Sequence, residues 1–132
     1  MSQLEFADDV MARIRDRAGR FDERAYLFVL AALEHIQTRL PERRHVTGEE
    51  LTHACRDFAL EQYGLLARSV LEYWGIAATS DIGEIVFTLI EVGMLKAQET
   101  DRLEDFIGIF GFADAFKLGY RWGGWREDLR RV

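Results

Sequence analysis

The residues best suited by type to do chemistry are two Glu-x-x-His pairs, Glu42/His45 and Glu50/His53, and one cysteine, Cys55. A carboxylate and an imidazole three residues apart on a helix can face one metal ion, as they do in di-iron bundles. Only Glu50/His53 falls on a predicted helix, whereas Glu42/His45 follows Pro41 in a polar connection. The remaining carboxylates of such a centre would have to come from other helices, and no position stands out for them. Glu50 also has a capping role to fill. Satisfied or solvated histidines are the better account, and neither a metal nor a cofactor is expected.

His53 and Cys55 are two residues apart, which turns them roughly 200° from each other around a helix and rules out a dyad between them. His35 or His45 could reach Cys55 only through tertiary structure, and a lone cysteine on an apolar helical face is ordinarily a small core residue. The chain has no Gly-x-Gly-x-x-Gly, no Walker loop and no nucleophile elbow. Asp101, Glu104 and Asp105 cluster without EF-hand spacing, so they read as a solvated charged turn. With no catalytic residues to name, the expectation is a non-enzymatic protein.

The elements that would position these groups are helices. A first helix is predicted over Leu4 to Arg17, with Phe6, Val10 and Ile14 on one face. Asp22 is a suitable N-cap for a second, carrying Tyr26, Val29, Leu30, Leu33 and Ile36 and stopping near Leu40 before Pro41. Thr47-Gly48-Glu49-Glu50 fits a capping box, in which the Thr47 hydroxyl and the Glu50 carboxylate each satisfy an orphan N–H. The helix it opens runs through Leu51, Ala54, Cys55, Phe58 and Ala59 to Tyr63, with Gly64 as its left-handed stop. A fourth follows at once, with Leu66, Val70, Leu71 and Trp74, and ends at Gly75.

Ser80 to Val92 is apolar almost all the way round, and such a helix is either buried in a core or covered by a partner. Ser80 or Asp81 would cap it, and Gly93 would end it. Beyond it the period changes. Met94 to Gln98 and Phe106 to Phe110 read as the two strands of a small hairpin, with a short helix from Asp101 as the alternative. Ala113 to Tyr120 reads as a last helix. The fold class expected is mainly α, a single domain over 1–120 of five or six helices with one small β-hairpin, winged-helix-like over 46–112, followed by a tail over 121–132.

Composition narrows the setting. The 132 residues are 48% hydrophobic and 30% charged, the balance of an ordinary globular protein. No apolar run suggests a membrane span, and the start lacks the basic and apolar regions of a secretory signal. A cytoplasmic protein is expected, and the lone cysteine agrees.

The net charge of −6 opposes nucleic acid, whose affinity rests on Lys and Arg neutralising phosphates. The charge is uneven, however. Asp81 to Asp114 is strongly acidic and Lys117 to Val132 is basic.

In a winged-helix module the last helix enters the major groove with Arg, Lys, Asn or Gln on its exposed face, and Ser80 to Val92 offers none of these. A protein-docking use suits it better. The tail interleaves Arg121, Trp122, Trp125, Arg126, Arg130 and Arg131, residue types enriched at interface hot spots and also able to stack on single-stranded bases. Tryptophans folded back onto the domain would be the unremarkable account of the same residues.

The run from Tyr63 to Phe116 carries a recognisable set of words: Tyr63-Gly64, Val70-Leu71, Trp74-Gly75-Ile76 and Asp81-Ile82-Gly83-Glu84-Ile85-Val86-Phe87. Asp101, Asp105-Phe106, Phe112 and Ala115-Phe116 continue it. Upstream, Ala25-Tyr26, Phe28-Val29, His45-Val46, Gly48 and Leu51 belong to the same pattern. In these it resembles a family of small uncharacterised proteins of planctomycete and verrucomicrobial bacteria. The resemblance implies a bacterial, intracellular protein and carries over no catalytic residue.

The function expected is a cytoplasmic interaction or adaptor module, with a protein partner or self-association. The alternative is a nucleic-acid-associated regulator working through its basic aromatic tail.

Overall fold

The computed structural model describes residues 12–13, 20–95 and 102–116, and these are mainly helical. The helix expected over Leu4 to Arg17 lies outside the described residues except for Ala12 and Arg13, and the tail lies wholly outside them. The helices are α1 (Glu23–Arg39), α2 (Gly48–Tyr63), α3 (Ala67–Tyr73), α4 (Thr79–Glu91) and the single turn α5 (Phe112–Ala115). Two 3-10 turns, Gly64–Leu66 and Leu103–Phe106, lie before α3 and before α5.

The ends of α1 and α2 form where local chemistry puts them. The Asp22 carboxylate accepts from Arg24 N–H at 2.9 Å to open α1, which closes at Leu40 ahead of Pro41. The Thr47 hydroxyl accepts from Glu50 N–H and the Glu50 carboxylate from Thr47 N–H, both at 3.1 Å, so the capping box is complete. Gly64 and Gly75 take φ of +55° and +100°, the left-handed region where a side chain would be strained. Gly64 stops α2 and Gly75 turns the chain out of α3.

Around the core, α1 packs against α2 and α4, and α2 packs against α3. The buried set includes Tyr26, Val29 and Ile36 from α1, Leu51, Cys55 and Ala59 from α2, and Leu71 from α3. From α4 come Ile82, Ile85, Val86 and Leu89. The over-apolar helix is thus covered by its own chain: Phe87 packs edge-on against Phe106, and Ile90 is half-buried. Its N-cap is Ala78 rather than Ser80 or Asp81. Asp81 instead caps from inside the first turn, its buried carboxylate accepting from the N–H groups of Ala77 (2.9 Å) and Ala78 (3.0 Å). Arg20 pairs with the same carboxylate at 3.0 Å and also with Glu84.

The expected hairpin is not confirmed, and residues 96–98 of its first strand lie outside the described residues. No strand occurs among the described residues, and residues 103–106 form a 3-10 turn where the returning strand was expected to begin. The Asp105 carboxylate accepts from Arg102 N–H at 3.0 Å and caps this 3-10 turn, while the Asp101 start of the alternative short helix lies outside the described residues. Phe106 then turns inward onto two bare backbone positions, Gly48 and Gly83. The winged-helix-like arrangement over 46–112 therefore lacks its wing among the described residues. Residues 107–111 run as turn and irregular chain, held to the start of α4 by Ile109 N–H donating to Thr79 Oγ1 at 3.2 Å. Of the expected last helix only Phe112–Ala115 forms within the described residues, fixed to α2 by Arg56 Nε donating to the Ala115 carbonyl at 2.9 Å.

Candidate functional site

Glu50, His53 and Cys55 are parts of the scaffold. Glu50 is occupied by the capping box and by Arg44, which donates to both carboxylate oxygens at 3.0 and 2.8 Å and holds the pKa below the usual carboxylate value. His53 is buried on the inward side of α2 with its ring 5.3 Å from Phe110. Burial first, and the nearby Arg56 second, lower its pKa to about 4, so the imidazole is neutral. Cys55 is fully enclosed, and burial pushes its thiol well above the ordinary value, away from a reactive thiolate. His45 lies exposed in the connection after α1. Among the described residues no three His, Cys, Asp or Glu side chains come together as metal ligands would. The tail residues Arg121, Trp122, Trp125, Arg126, Arg130 and Arg131 lie outside the described residues.

The distinctive surface lies at the corner where α2 turns into α3. Leu65 is 88% exposed, Tyr73 77%, Leu66 65%, Leu27 53% and Tyr63 36%. Scattered single apolar residues on a surface are ordinary, but three large exposed ones within four positions, Tyr63, Leu65 and Leu66, are not. Leu27 and Tyr63 line an open groove of about 320 Å³ between α1, the end of α2 and α3, together with Phe28, Phe58, Trp74 and Arg24.

The floor of the groove is built from rings: Phe28 meets Phe58 at 5.5 Å and Trp74 at 5.7 Å, and Tyr63 stands edge-on to Trp74 at 5.8 Å. Arg24 lays its guanidinium 5.7 Å from the Tyr73 ring and 6.0 Å from that of Trp74. Its charge is matched by Asp22 at 3.0 Å, and these hydrogen bonds lower the Asp22 pKa to about 2. Asp22 N–H donates to the Trp74 carbonyl at 3.1 Å, which ties the start of α1 to the end of α3 and fixes the groove walls together.

A second, smaller cleft of about 120 Å³ lies between α1, α2 and α4, bordered by Gln37, His45 and the Phe106 ring. It is mostly apolar and brings together no acid, base and nucleophile.

No family model, no curated protein and no solved structure matches this chain. The reading of function therefore rests on the arrangement of its own residues. That arrangement comprises an aromatic groove between α1, α2 and α3, and a 3-10 turn directly after Tyr63 on which Leu65 and Leu66 are exposed. The sequence names Tyr63, Leu66 and Trp74 as parts of helices, and Tyr63 and Trp74 also as carriers of the family resemblance, but gives no functional role to them or to Leu65 and Leu27.

Proposed function

We propose that this chain is a non-enzymatic protein-interaction module whose docking surface is the corner between α2 and α3. The observation that carries the reading is the run of exposed Tyr63, Leu65 and Leu66 at the corner, next to a groove lined by Leu27, Phe28, Phe58, Tyr63 and Trp74. Exposed leucine and tyrosine side chains on a rigid helical frame give a partner large apolar area at small cost in ordering. The Arg/Trp tail from Arg121 to Arg131 belongs to the proposal as a second contact element, on its residue types. The resemblance to the planctomycete and verrucomicrobial family and a cytoplasmic setting belong to it as well; no helix among the described residues is long and apolar enough to cross a membrane.

The test is a nuclease-treated capture experiment with three proteins: the full chain, the Leu65→Glu/Tyr73→Glu variant, and a chain ended after Tyr120. Loss of the same bound protein with the corner variant supports the surface, and loss on truncation supports the tail. Retention of every bound protein and of the oligomeric state by both altered chains would sink the reading.

A further inference from the structure

We infer that the Tyr26 hydroxyl binds one buried water molecule, which it shares with the Glu84 carboxylate, and that this water joins α1 to the Arg20–Asp81–Glu84 cluster at the start of α4. The observation that carries the inference is an orphaned polar atom. Tyr26 is 1% exposed, and its hydroxyl oxygen meets no hydrogen-bond partner among the described residues. A buried hydroxyl without a partner forfeits the bonds it makes to water in the unfolded chain, and native proteins satisfy nearly all such groups with protein atoms or ordered water. At about one buried water per 27 residues, a chain of this length holds roughly five, so one at an orphaned hydroxyl is the ordinary expectation.

The groups around the ring supply the rest of the site. Phe21 stands edge-on to Tyr26 with ring centroids 6.0 Å apart, and the Arg20 guanidinium lies 4.8 Å from the centre of the Phe21 ring. Arg20 reaches from there to α4, pairing with Asp81 at 3.0 Å and with Glu84. Glu84 and Arg20 are also the two charges that act on the Tyr26 hydroxyl. Burial first and the Glu84 carboxylate second raise its pKa, and Arg20 opposes them. The phenol therefore keeps its proton through the neutral range and is a donor that lacks an acceptor.

Water suits this place better than a direct bond or an ion. Asp81 is already engaged: one carboxylate oxygen accepts from the Ala77 and Ala78 N–H groups, and the other meets Arg20. Glu84 meets Arg20 through one oxygen, and a carboxylate has further lone pairs to offer. Glu84 acts on the hydroxyl without standing within hydrogen-bond distance of it, a gap of the kind a bridging water spans. One water can accept from the Tyr26 O–H and donate to the Glu84 carboxylate. A metal cation is not called for, because Arg20 already supplies the positive charge between the two acids. The Arg20 and Glu84 side chains are 54% and 46% exposed, so their long stems can yield to a guest of this size without moving a helix.

The experiment is urea unfolding of the full chain with Tyr26→Phe, which removes only the hydroxyl, with Glu84→Ala, and with both changes. Tyr26→Phe is expected to lower the folding constant by roughly tenfold, the loss of a hydrogen bond to a charged partner. The double variant should lose less than the product of the two single effects, because both remove the same bridge. In the wild type, the Tyr26 hydroxyl proton should show an NMR cross-relaxation peak to a long-lived water. A Tyr26→Phe chain at least as stable as the wild type overturns the inference, since the hydroxyl would then be buried at a cost. Lost stability without the water peak overturns the water in favour of a direct bond, and effects that simply multiply overturn Glu84 as the partner. The docking reading is untouched by any of these results, because its own test lies at the α2–α3 corner.

Discussion

Replacing Gly83 by alanine sets two opposing effects against each other at the contact that holds the 102–116 segment to the helices. In a helix interior the exchange favours stability by about 1 kcal/mol, through reduced backbone entropy in the unfolded chain. At this position, however, a Cβ would meet Phe106 Cβ and Cγ at 2.8 Å and Cδ2 at 2.9 Å. Carbon atoms pack comfortably at about 3.5–4.0 Å, so the overlap is on the order of 1 Å. The atoms involved are the base of the phenylalanine side chain, and swinging the ring does not clear them. The whole turn Leu103–Phe106 has to move, and it is pinned by a ring only 3% exposed, lying against Gly48 and Phe87.

Overpacking of this kind costs about 1–3 kcal/mol, and the full loss of a buried phenylalanine, about 3–5 kcal/mol, sets the ceiling. The net expectation is a destabilisation of about 1–2 kcal/mol. It should appear as a lower urea midpoint at unchanged slope, followed by far-UV circular dichroism. Phe106→Ala is expected to cost about 3–4 kcal/mol. The double variant should cost less than the sum by about 1 kcal/mol or more, because without the ring nothing holds the turn against residue 83. A Gly83→Ala protein at least as stable as the wild type would refute the reasoning. So would additivity within about 0.5 kcal/mol, which marks independent sites.

Two further expectations come from buried titratable groups. Because His53 has its pKa lowered to about 4 in the folded chain against 6.5 unfolded, only the unfolded chain takes up the proton between those values. Stability should therefore be independent of this group above pH 6.5, fall as pH drops from 6.5 to about 4, and be flat in this contribution below that, for a loss of at most about 3 kcal/mol. His53→Gln should remove that part of the slope, and a His53 ring titrating near 6.5 by NMR would contradict the burial argument. Cys55, fully enclosed with its thiol pushed up, should resist a disulfide reagent in the native chain and react stoichiometrically once the chain is unfolded. Rapid reaction under native conditions would mean that the core opens around α2.

The helices were legible wherever a local signal decided them. Asp22, Pro41, the Thr47/Glu50 box, Gly64 and Gly75 mark boundaries through bonds and backbone angles made within a few residues, and each boundary formed as expected. The stretch Phe106-Ile107-Gly108-Ile109-Phe110 was not legible in the same way. Its β-branched and aromatic residues favour extended chain on propensity, a weak preference that packing readily overrides. What overrides it is distant in sequence: Gly48 on α2 and Gly83 on α4 leave room for the Phe106 ring, and Thr79 takes the Ile109 N–H. The same distinction explains Asp81. Its residue type identified a cap, but the position it caps follows from the path of 77–78 into α4 and from Arg20 reaching across to it.

The proposed docking surface was partly legible, and its signal lies in helical phase. Ala67, Leu71 and Trp74 recur at four and three residues and form the buried stripe of α3. Leu66 and Tyr73 are seven apart, nearly two full turns, so they share a face of their own, roughly 100–120° away from that stripe. Val70 lies between them in sequence and is half-buried. A helix this short has one stripe to bury in its own core, and a second, out-of-phase apolar stripe has no internal use. Leu65, beside Leu66 directly after the Gly64 stop, extends the surplus around the corner. The chain spends its Arg24 guanidinium on the Tyr73 and Trp74 rings at the same place, where a simply solvated helix end would need no such cover. Surplus apolar phase on α3 and the aromatic floor of the groove both lie at the α2–α3 corner, and the proposed docking reading rests on these two features.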